Sequence, residues 1–453
     1  MRVTTIEHYR PEPGELIEWS ATPATLAAAA SAASSPVPPS FNQRFHLDTA
    51  RRRGSGPGTW LALSFDLPGR ADPAALHRAF EQWLGRHETL RSGFRERAGE
   101  IERFVLPPEH LALGRETIGE FPAGQELRAY LRRRLDTVCR PLSRSQSWPS
   151  YLLTAILRPD RSTVFCGFDH CDVDGYSLAI AVHELQELYR SGSVEPSEAG
   201  SFLDFCAAEQ AAPVPDPGHE VVRAWDAFLA ACGETPPSFP LDLGVEPGQP
   251  VAQAADCRPL LDAEGAAEFE RTCRAHGGSV FTGVLTAVGL AARRFGAGEV
   301  VRLLTPMHTR TDPRWEHAVG WLTTVAPLAL DVRSGQFSEA LPLVHQEFRA
   351  ALRLGRVPVP LVLAALGPRF RRGGDDVFMV SYTDYRRFQG SERHAEVDAQ
   401  HISNVTVADD AQFWVSRTHE GLFLRSRYPG TPVAIRQITA FTGALTRILA
   451  APG

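Results

Sequence analysis

Hydrophobic and polar positions along this chain alternate with two periods. Residues 61–67, 151–157 and 163–168 are short apolar runs of strand length, and 17–19 is a shorter one. At Asp72-Pro73 a capping residue precedes a proline suited to the first helical position. Leu76, Phe80, Trp83, His87 and Leu90 then recur at helical spacing, with His87 read as a packed core histidine rather than a ligand. A second helix is predicted over 126–138. After 163–168 comes a polar turn, Asp169-His170-Cys171-Asp172-Val173-Asp174-Gly175. Beyond it Leu178, Ile180, Ala181, Leu185 and Leu188 share a helical face, with Gly192 just past the end.

The proline- and glycine-rich stretches 211–218, 233–240 and 244–250 break the pattern and mark a linker region. The alternation then resumes. Helices are predicted over 263–275, 280–294, 337–354 and 432–449, and strands over 300–306, 324–330 and 377–382 and near Val405 and Trp414. Strands mixed with helices in both halves predict an α/β chain. Its N-terminal lobe covers 1–200, its linker region 201–250 and its C-terminal lobe 251–453. No sequence repeat relates the two halves.

Composition narrows the function. A length of 453 residues exceeds one comfortable core, which fits two lobes. The net charge of -6 argues against nucleic acid or an anionic membrane as the main partner. All 47 basic residues are arginine, so Schiff-base, P-loop and kinase chemistries that need a lysine are excluded. The 7 cysteines are odd in number and show no Cys-x-x-Cys spacing, which predicts neither a disulfide framework nor a zinc site. Reduced thiols in the cytoplasm are the natural expectation. Ala27–Ala33 reads as a linker or short alanine helix, since Glu15 and Glu18 precede it and prolines follow. No apolar run reaches the roughly 18 residues of a membrane span.

Candidate chemistry gathers at residues 169–175. A strand-to-helix turn exposes its residues on rigid supports. His170 is the candidate base there, because an imidazole titrates near neutrality. A polar loop with an incidental histidine is the alternative reading of the turn alone. Cys171 beside it is a weaker candidate nucleophile, since neighbours along a turn point apart.

Three further segments change that balance. They are Ser40-Phe41-Asn42-Gln43-Arg44, Arg86-His87-Glu88-Thr89-Leu90-Arg91-Ser92-Gly93-Phe94, and Arg310 followed by Gly320-Trp321-Leu322-Thr323-Thr324-Val325-Ala326-Pro327-Leu328. With the turn, they resemble the ordered motifs of nonribosomal peptide synthetase condensation domains, whose third motif is HHxxxDG. Ser381-Tyr382-Thr383-Asp384-Tyr385 is similar to a segment of polyketide-associated acyltransferases. The resemblance runs from about Ser40 to Pro429. The first motif histidine is Asp169 here, which looks like the acyltransferase branch and some free-standing condensation enzymes; the chain as a whole also resembles ester-forming condensation enzymes of enediyne pathways.

The resemblance implies two chloramphenicol-acetyltransferase-like lobes arranged as a V-shaped pseudo-dimer with a central tunnel. It implies His170 as the catalytic base, Asp174 and Arg310 as a structural clamp, and Gly175 as the turn residue whose N–H approaches the oxyanion. Asp169 has a motif position of uncertain role. The first motif histidine is mainly supportive in the family, so Asp169→His is expected to change activity modestly. Trp321, Tyr382 and Trp414 are expected either to pack in the core or to line the tunnel. No metal and no bound cofactor are expected.

The implied reaction joins an acyl or aminoacyl thioester, carried on the phosphopantetheine of an acyl or peptidyl carrier protein supplied in trans, to a small-molecule alcohol or amine. The product is an ester or amide in natural-product biosynthesis. An acyl-CoA-dependent O-acyltransferase acting on a sugar or lipid is the second reading. A non-catalytic recruitment domain of the same fold is the third. Donor, acceptor and oligomeric state are not legible in the sequence.

Overall fold

The computed structural model of the protein describes residues 1–53, 58–140, 142, 148–367, 374 and 376–452. These residues form two compact units. The first comprises Met1–Ala212, Arg310–Leu322 and Arg387–Asn404; the second comprises Pro213–Thr309, Thr323–Arg386 and Val405–Gly453.

In the first unit a seven-stranded sheet runs in the order Arg2–Thr5, Gln400–Ser403, Trp60–Pro68, Arg161–Asp169, Tyr151–Leu157, Gly14–Ala21 and Leu113–Phe121. Tyr151–Leu157 and Arg161–Asp169 form a hairpin at its centre, with Tyr151 opposite Phe168. Strand Trp60–Pro68 flanks the second of these, with Trp60 opposite Asp169. Both central strands are buried along nearly their whole length because both faces of the sheet are covered. On one face Phe165 joins Leu127, Leu131 and Leu135 of helix Gly124–Val138. On the other Phe168 meets Trp83 of helix Pro73–Arg86. Each of those leucines is fully buried, so Leu131→Ala costs about 2–5 kcal/mol.

The second unit carries another seven-stranded sheet, ordered Thr323–Asp331, Val300–His308, Met379–Asp384, Gln412–Thr418, Gly421–Pro429, Val251–Asp262 and Val407–Ala408. Helix Val280–Arg294 is buried over most of its circumference and lies in the core of this unit with Ala263–Ala275, Phe337–Leu354 and Pro432–Ala450. Among the described residues no single helix is long and apolar enough to cross a membrane.

The helices predicted over 263–275, 280–294 and 337–354 agree with the observed ones to the residue. Other expectations need correction. The compact units do not follow contiguous lobes at 1–200 and 251–453. Strand Gln400–Ser403 pairs with Arg2–Thr5 and Trp60–Pro68, which draws a late segment into the first unit. The region 201–250 is not simply a linker, because it holds helices Phe202–Ala211 and Glu220–Ala231. Its prolines and glycines punctuate these helices without interrupting them. Their apolar partners are remote in sequence: Phe202 and Phe205 cluster with Ala318 and Leu322, and Trp225 with Val362 and Leu366. Local periodicity could not reveal them. His87 ends its helix, and Leu90 lies in the following 3₁₀ turn Glu88–Arg91.

Candidate active site

The strand Arg161–Asp169 ends at Asp169, and helix Gly175–Ser191 begins at Gly175. Residues 170–174 join them. The His170 backbone N–H donates to Thr59 O at 2.9 Å, and Asp172 N–H to Asp169 O at 3.0 Å, which tightens the turn. The first two sequence motifs hold it from outside. Gln43 Nε2 donates to Cys171 O at 2.9 Å, and Thr89 Oγ1 donates to Asp172 O at 3.3 Å. The second motif also anchors the helix that follows. His87, Trp83 and Arg86 all bind the buried Glu184 carboxylate, with His87 Nε2 2.6 Å from Glu184 Oε2. Burial would raise the Glu184 pKa, but His87 and Arg86 outweigh it and hold it below the ordinary value. His87 is thus a packed, buried histidine.

His170 is half-buried. Its Nδ1 lies 2.9 Å from Val173 O, and a carbonyl only accepts, so Nδ1 carries the hydrogen. In the neutral ring Nε2 then holds the free lone pair. The ring stacks on Trp321, with centroids 3.9 Å apart and planes at 23°. Burial pushes the His170 pKa below that of a free histidine, and the charge of His46 adds to this; the Val173 hydrogen bond and Asp169 oppose it. The neutral, proton-accepting form is favoured as a result.

Asp174 caps the helix by accepting from Ser177 N–H at 2.8 Å. The same carboxylate pairs with Arg310 through two parallel bonds, Nη1 to Oδ2 at 2.8 Å and Nη2 to Oδ1 at 3.1 Å. It also accepts Leu322 N–H at 3.1 Å. Arg310 donates to Ala318 O and lies over the Tyr176 ring, 4.3 Å from its centroid. Ser177 Oγ accepts Gly320 N–H at 3.1 Å. One helix N-terminus therefore fixes the whole segment 310–322, including Trp321. Gly320 is required there, since a Cβ would collide with the Phe202 ring. Burial would raise the Asp174 pKa, but the Arg310 charge and the hydrogen bonds outweigh it and keep the carboxyl ionised below its ordinary range.

Gly175 has its N–H in the first helical turn, where no intrahelical acceptor exists. A Cβ at Gly175 would lie 3.3 Å from His401 Cε1, so close approach explains the glycine. Asp169 is fully buried. Its Oδ1 accepts Cys171 N–H at 2.9 Å and lies 2.8 Å from His46 Nε2. Burial would raise its pKa, but His46 reverses this and the net direction is down. Asp172, which matched no family role, is buried against Ser150 Oγ at 2.5 Å. Burial, then the neighbouring Asp169, drives its pKa well up. Cys171 is buried with its thiol pushed well up by desolvation, which makes it inert.

His170, Asp174, Arg310, Gly175, Asp169 and Trp321 thus come together in the first unit. Tyr382 and Trp414 belong to the second. Tyr382 stacks on Phe281 and packs against that unit's core, and Arg425 lies over Trp414 at 3.7 Å. Sequence reasoning missed His46, Ser177 and His401. The available signal for His46 was its i,i+3 spacing from Gln43 beside buried Leu47, on the helix Phe41–Arg53.

A histidine at a strand-to-helix turn, with an Asp-Gly helix start tied to a remote arginine, is thus assembled within the first unit. The condensation-domain family matches residues 57–413, and the chain belongs to that family. The trehalose-2-sulfate acyltransferase PapA2 of Mycobacterium tuberculosis (strain ATCC 25618 / H37Rv) is 28% identical over 471 residues, covering 98% of this chain and 96% of PapA2. The 2'-acyl-2-O-sulfo-trehalose (hydroxy)phthioceranyltransferase PapA1 of Mycobacterium tuberculosis (strain CDC 1551 / Oshkosh) is 26% identical, covering 99% of this chain and 88% of PapA1. The solved PapA2 acyl transferase superposes with a TM-score of 0.89 at 27% identity, covering 100% of this chain and 99% of that one. The first condensation domain of the CDA synthetase gives 0.68 at 19% identity, covering 93% and 97%. This chain is a condensation-fold acyltransferase.

Proposed function

We propose that the protein transfers an acyl group from a phosphopantetheine-type thioester to a hydroxyl of a sugar-bearing alcohol, forming an ester, with His170 as general base. The observation that carries this is His170 itself. It is half-buried, its Nδ1–H is engaged by Val173 O, its face is held on Trp321, and its pKa is lowered. Nε2 takes the acceptor O–H proton as the oxygen attacks the thioester carbonyl. The tetrahedral oxyanion then collapses, the C–S bond breaks, and the leaving thiolate takes the proton back from the imidazolium. The first-turn N–H groups at Gly175 are the donors suited to the oxyanion. Asp174 and Arg310 serve as a clamp that keeps the turn and Trp321 in place and take no proton.

The acceptor class is supported by end-to-end similarity to PapA2 and PapA1, both named for trehalose-based substrates. The donor chemistry is the pantetheine thioester, which a carrier protein and CoA share. The carrier-tethered, natural-product reading and the CoA-dependent one differ in what holds that arm. The test incubates the protein with one acyl group on CoA and on a carrier protein, against trehalose, trehalose-2-sulfate and a small amine. Ester formation from either donor supports the proposal, and the faster donor assigns the source. Amide formation alone would overturn ester synthesis. No transfer, together with tight binding to another protein, would establish the recruitment domain instead.

A further inference from the structure

We propose that His46 and Asp169 form a buried pair that positions His170, with His46 acting as a positioning residue through Asp169 and Trp321 and not on substrate. The proposal rests on His170 being the base. Three contacts place the pair around that ring. Asp169 directly precedes His170 in the chain, and its Oδ1 accepts the N–H of Cys171, so one carboxylate ties the backbone on both sides of the histidine. The same Oδ1 meets His46 Nε2 at 2.8 Å. The His46 ring then stands edge-on to Trp321, with centroids 6.0 Å apart at 73°, while Trp321 stacks on His170. His46 therefore touches both supports of the catalytic ring. Its side chain is only 10% exposed and that of Asp169 is 0% exposed, so water screens the pair little.

The electrostatics follow the geometry. The charged groups acting on His170 are His46, from helix Phe41–Arg53, and Asp169, at the end of its own strand. The segment 310–322 meets it with the uncharged Trp321 ring, and its own turn meets it with the Val173 carbonyl. His46 opposes a proton on His170 and Asp169 favours one. Burying an ion pair is weak evidence for stability, because desolvation offsets the attraction. Removing His46 alone should leave His170 facing only the carboxylate, or a neutral acid, and in either case its midpoint rises.

The experiment follows the Cε1–H resonance of His170 by NMR through a pH titration, alongside kcat/KM against pH and the melting midpoint. It compares wild type, His46→Gln and His46→Gln/Asp169→Asn. The expected result is that His46→Gln moves the His170 midpoint up by about one pH unit, and that the double variant returns it at least halfway. The acid limb of kcat/KM should move with it. An unmoved midpoint with a lowered melting temperature would overturn the proposal, since a merely structural histidine behaves that way. If the variants do not fold, the Asp169 carboxyl is titrated in the wild-type protein. Ionisation below the ordinary carboxylate range supports the pair, and titration at or above that range overturns it. His170→Ala in the same activity assay separates the two claims. Retained turnover there removes the base, while the His170 midpoint still reports on the pair.

Discussion

Each of the two sheets has a central hairpin that runs into a helix, and the two junctions differ in what they bury. In the first unit Tyr151–Leu157 and Arg161–Asp169 lead into Gly175–Ser191 through residues 170–174. Asp169, Asp172 and Asp174 are all buried along this path. In the second unit Gln412–Thr418 and Gly421–Pro429 lead into Pro432–Ala450 through Gly430 and Thr431 alone. Thr431 caps that helix by accepting Ala434 N–H at 2.9 Å, and it donates to Leu243 O at 2.6 Å. A neutral threonine thus satisfies the same helix end that Asp174 does. The charge at position 174 is not needed for capping. It is there for what capping does not require, namely holding Arg310, Leu322 and the segment that carries Trp321.

The largest test of that contrast is to remove one member of the charged clamp. Asp174→Ala or Arg310→Ala should each cost about 3–5 kcal/mol in urea unfolding, because a buried charge is left without its partner. The double variant should cost less than the sum. Additive losses would mean that the two groups act independently. His170→Ala comes next. It should lower kcat/KM by at least about 10²-fold, or roughly 2.7 kcal/mol, with little change in the melting midpoint. Near wild-type turnover in the folded variant would remove the base.

Asp169→His is expected to be costlier than the family resemblance implies. It sets a second imidazole against His46 and takes the acceptor from Cys171 N–H, an unmet hydrogen bond of about 1–3 kcal/mol. Melting curves beside those of Asp169→Asn, which keeps an acceptor oxygen, check this. Thr431→Ala is the smallest of these effects. It should cost about 1 kcal/mol in the same unfolding assay and leave turnover as it was, since the second junction only caps.

The pH dependence sharpens the comparison further. Activity should persist below the ordinary histidine range and fall as pH drops through the lowered His170 midpoint. Asp174 has a depressed folded value, so its stabilisation is present above its unfolded pKa and is lost as pH falls through the folded one. Glu209, which accepts Phe41 N–H at the start of the His46 helix, has the opposite sign. Burial raises it to about 7. The folded state holds its proton more tightly than the unfolded chain does. Its contribution is therefore full at acid pH and declines as pH rises from the ordinary carboxyl value through about 7. Glu209→Gln should flatten that decline in melting temperature against pH, and an unchanged slope would show that Glu209 does not titrate there.

Much of this protein was determined locally. Apolar periodicity was enough to place helices such as 263–275 and 337–354. A short polar turn between an apolar run and an amphipathic helix drew attention to His170, Asp174 and Gly175, and the ordered motifs around it then weighted it above an incidental polar loop. Those signals are legible because a helix period and a cap are properties of neighbouring residues. Arg310 and Trp321 came from the family resemblance, and nothing local ties them to residue 174.

Tertiary structure decided the rest, because it depends on partners far apart in the chain. The segment 387–404 joins the first unit through strand pairing with residues near 2–5 and 61–64 and through contacts such as Phe388 on Tyr176. Helices 202–211 and 220–231 gain their apolar faces from residues more than a hundred positions away. The pairing of His46 with Asp169 appears only once a helix from the start of the chain packs against the turn. The reason is that burial sets the strength of charges, and burial is not a property of sequence neighbours. The same string Asp-His-Cys-Asp-Val-Asp holds a carboxyl beside a histidine with its pKa pushed down, one pushed well up by burial, and one held down by an arginine. Only the fold assigns which is which.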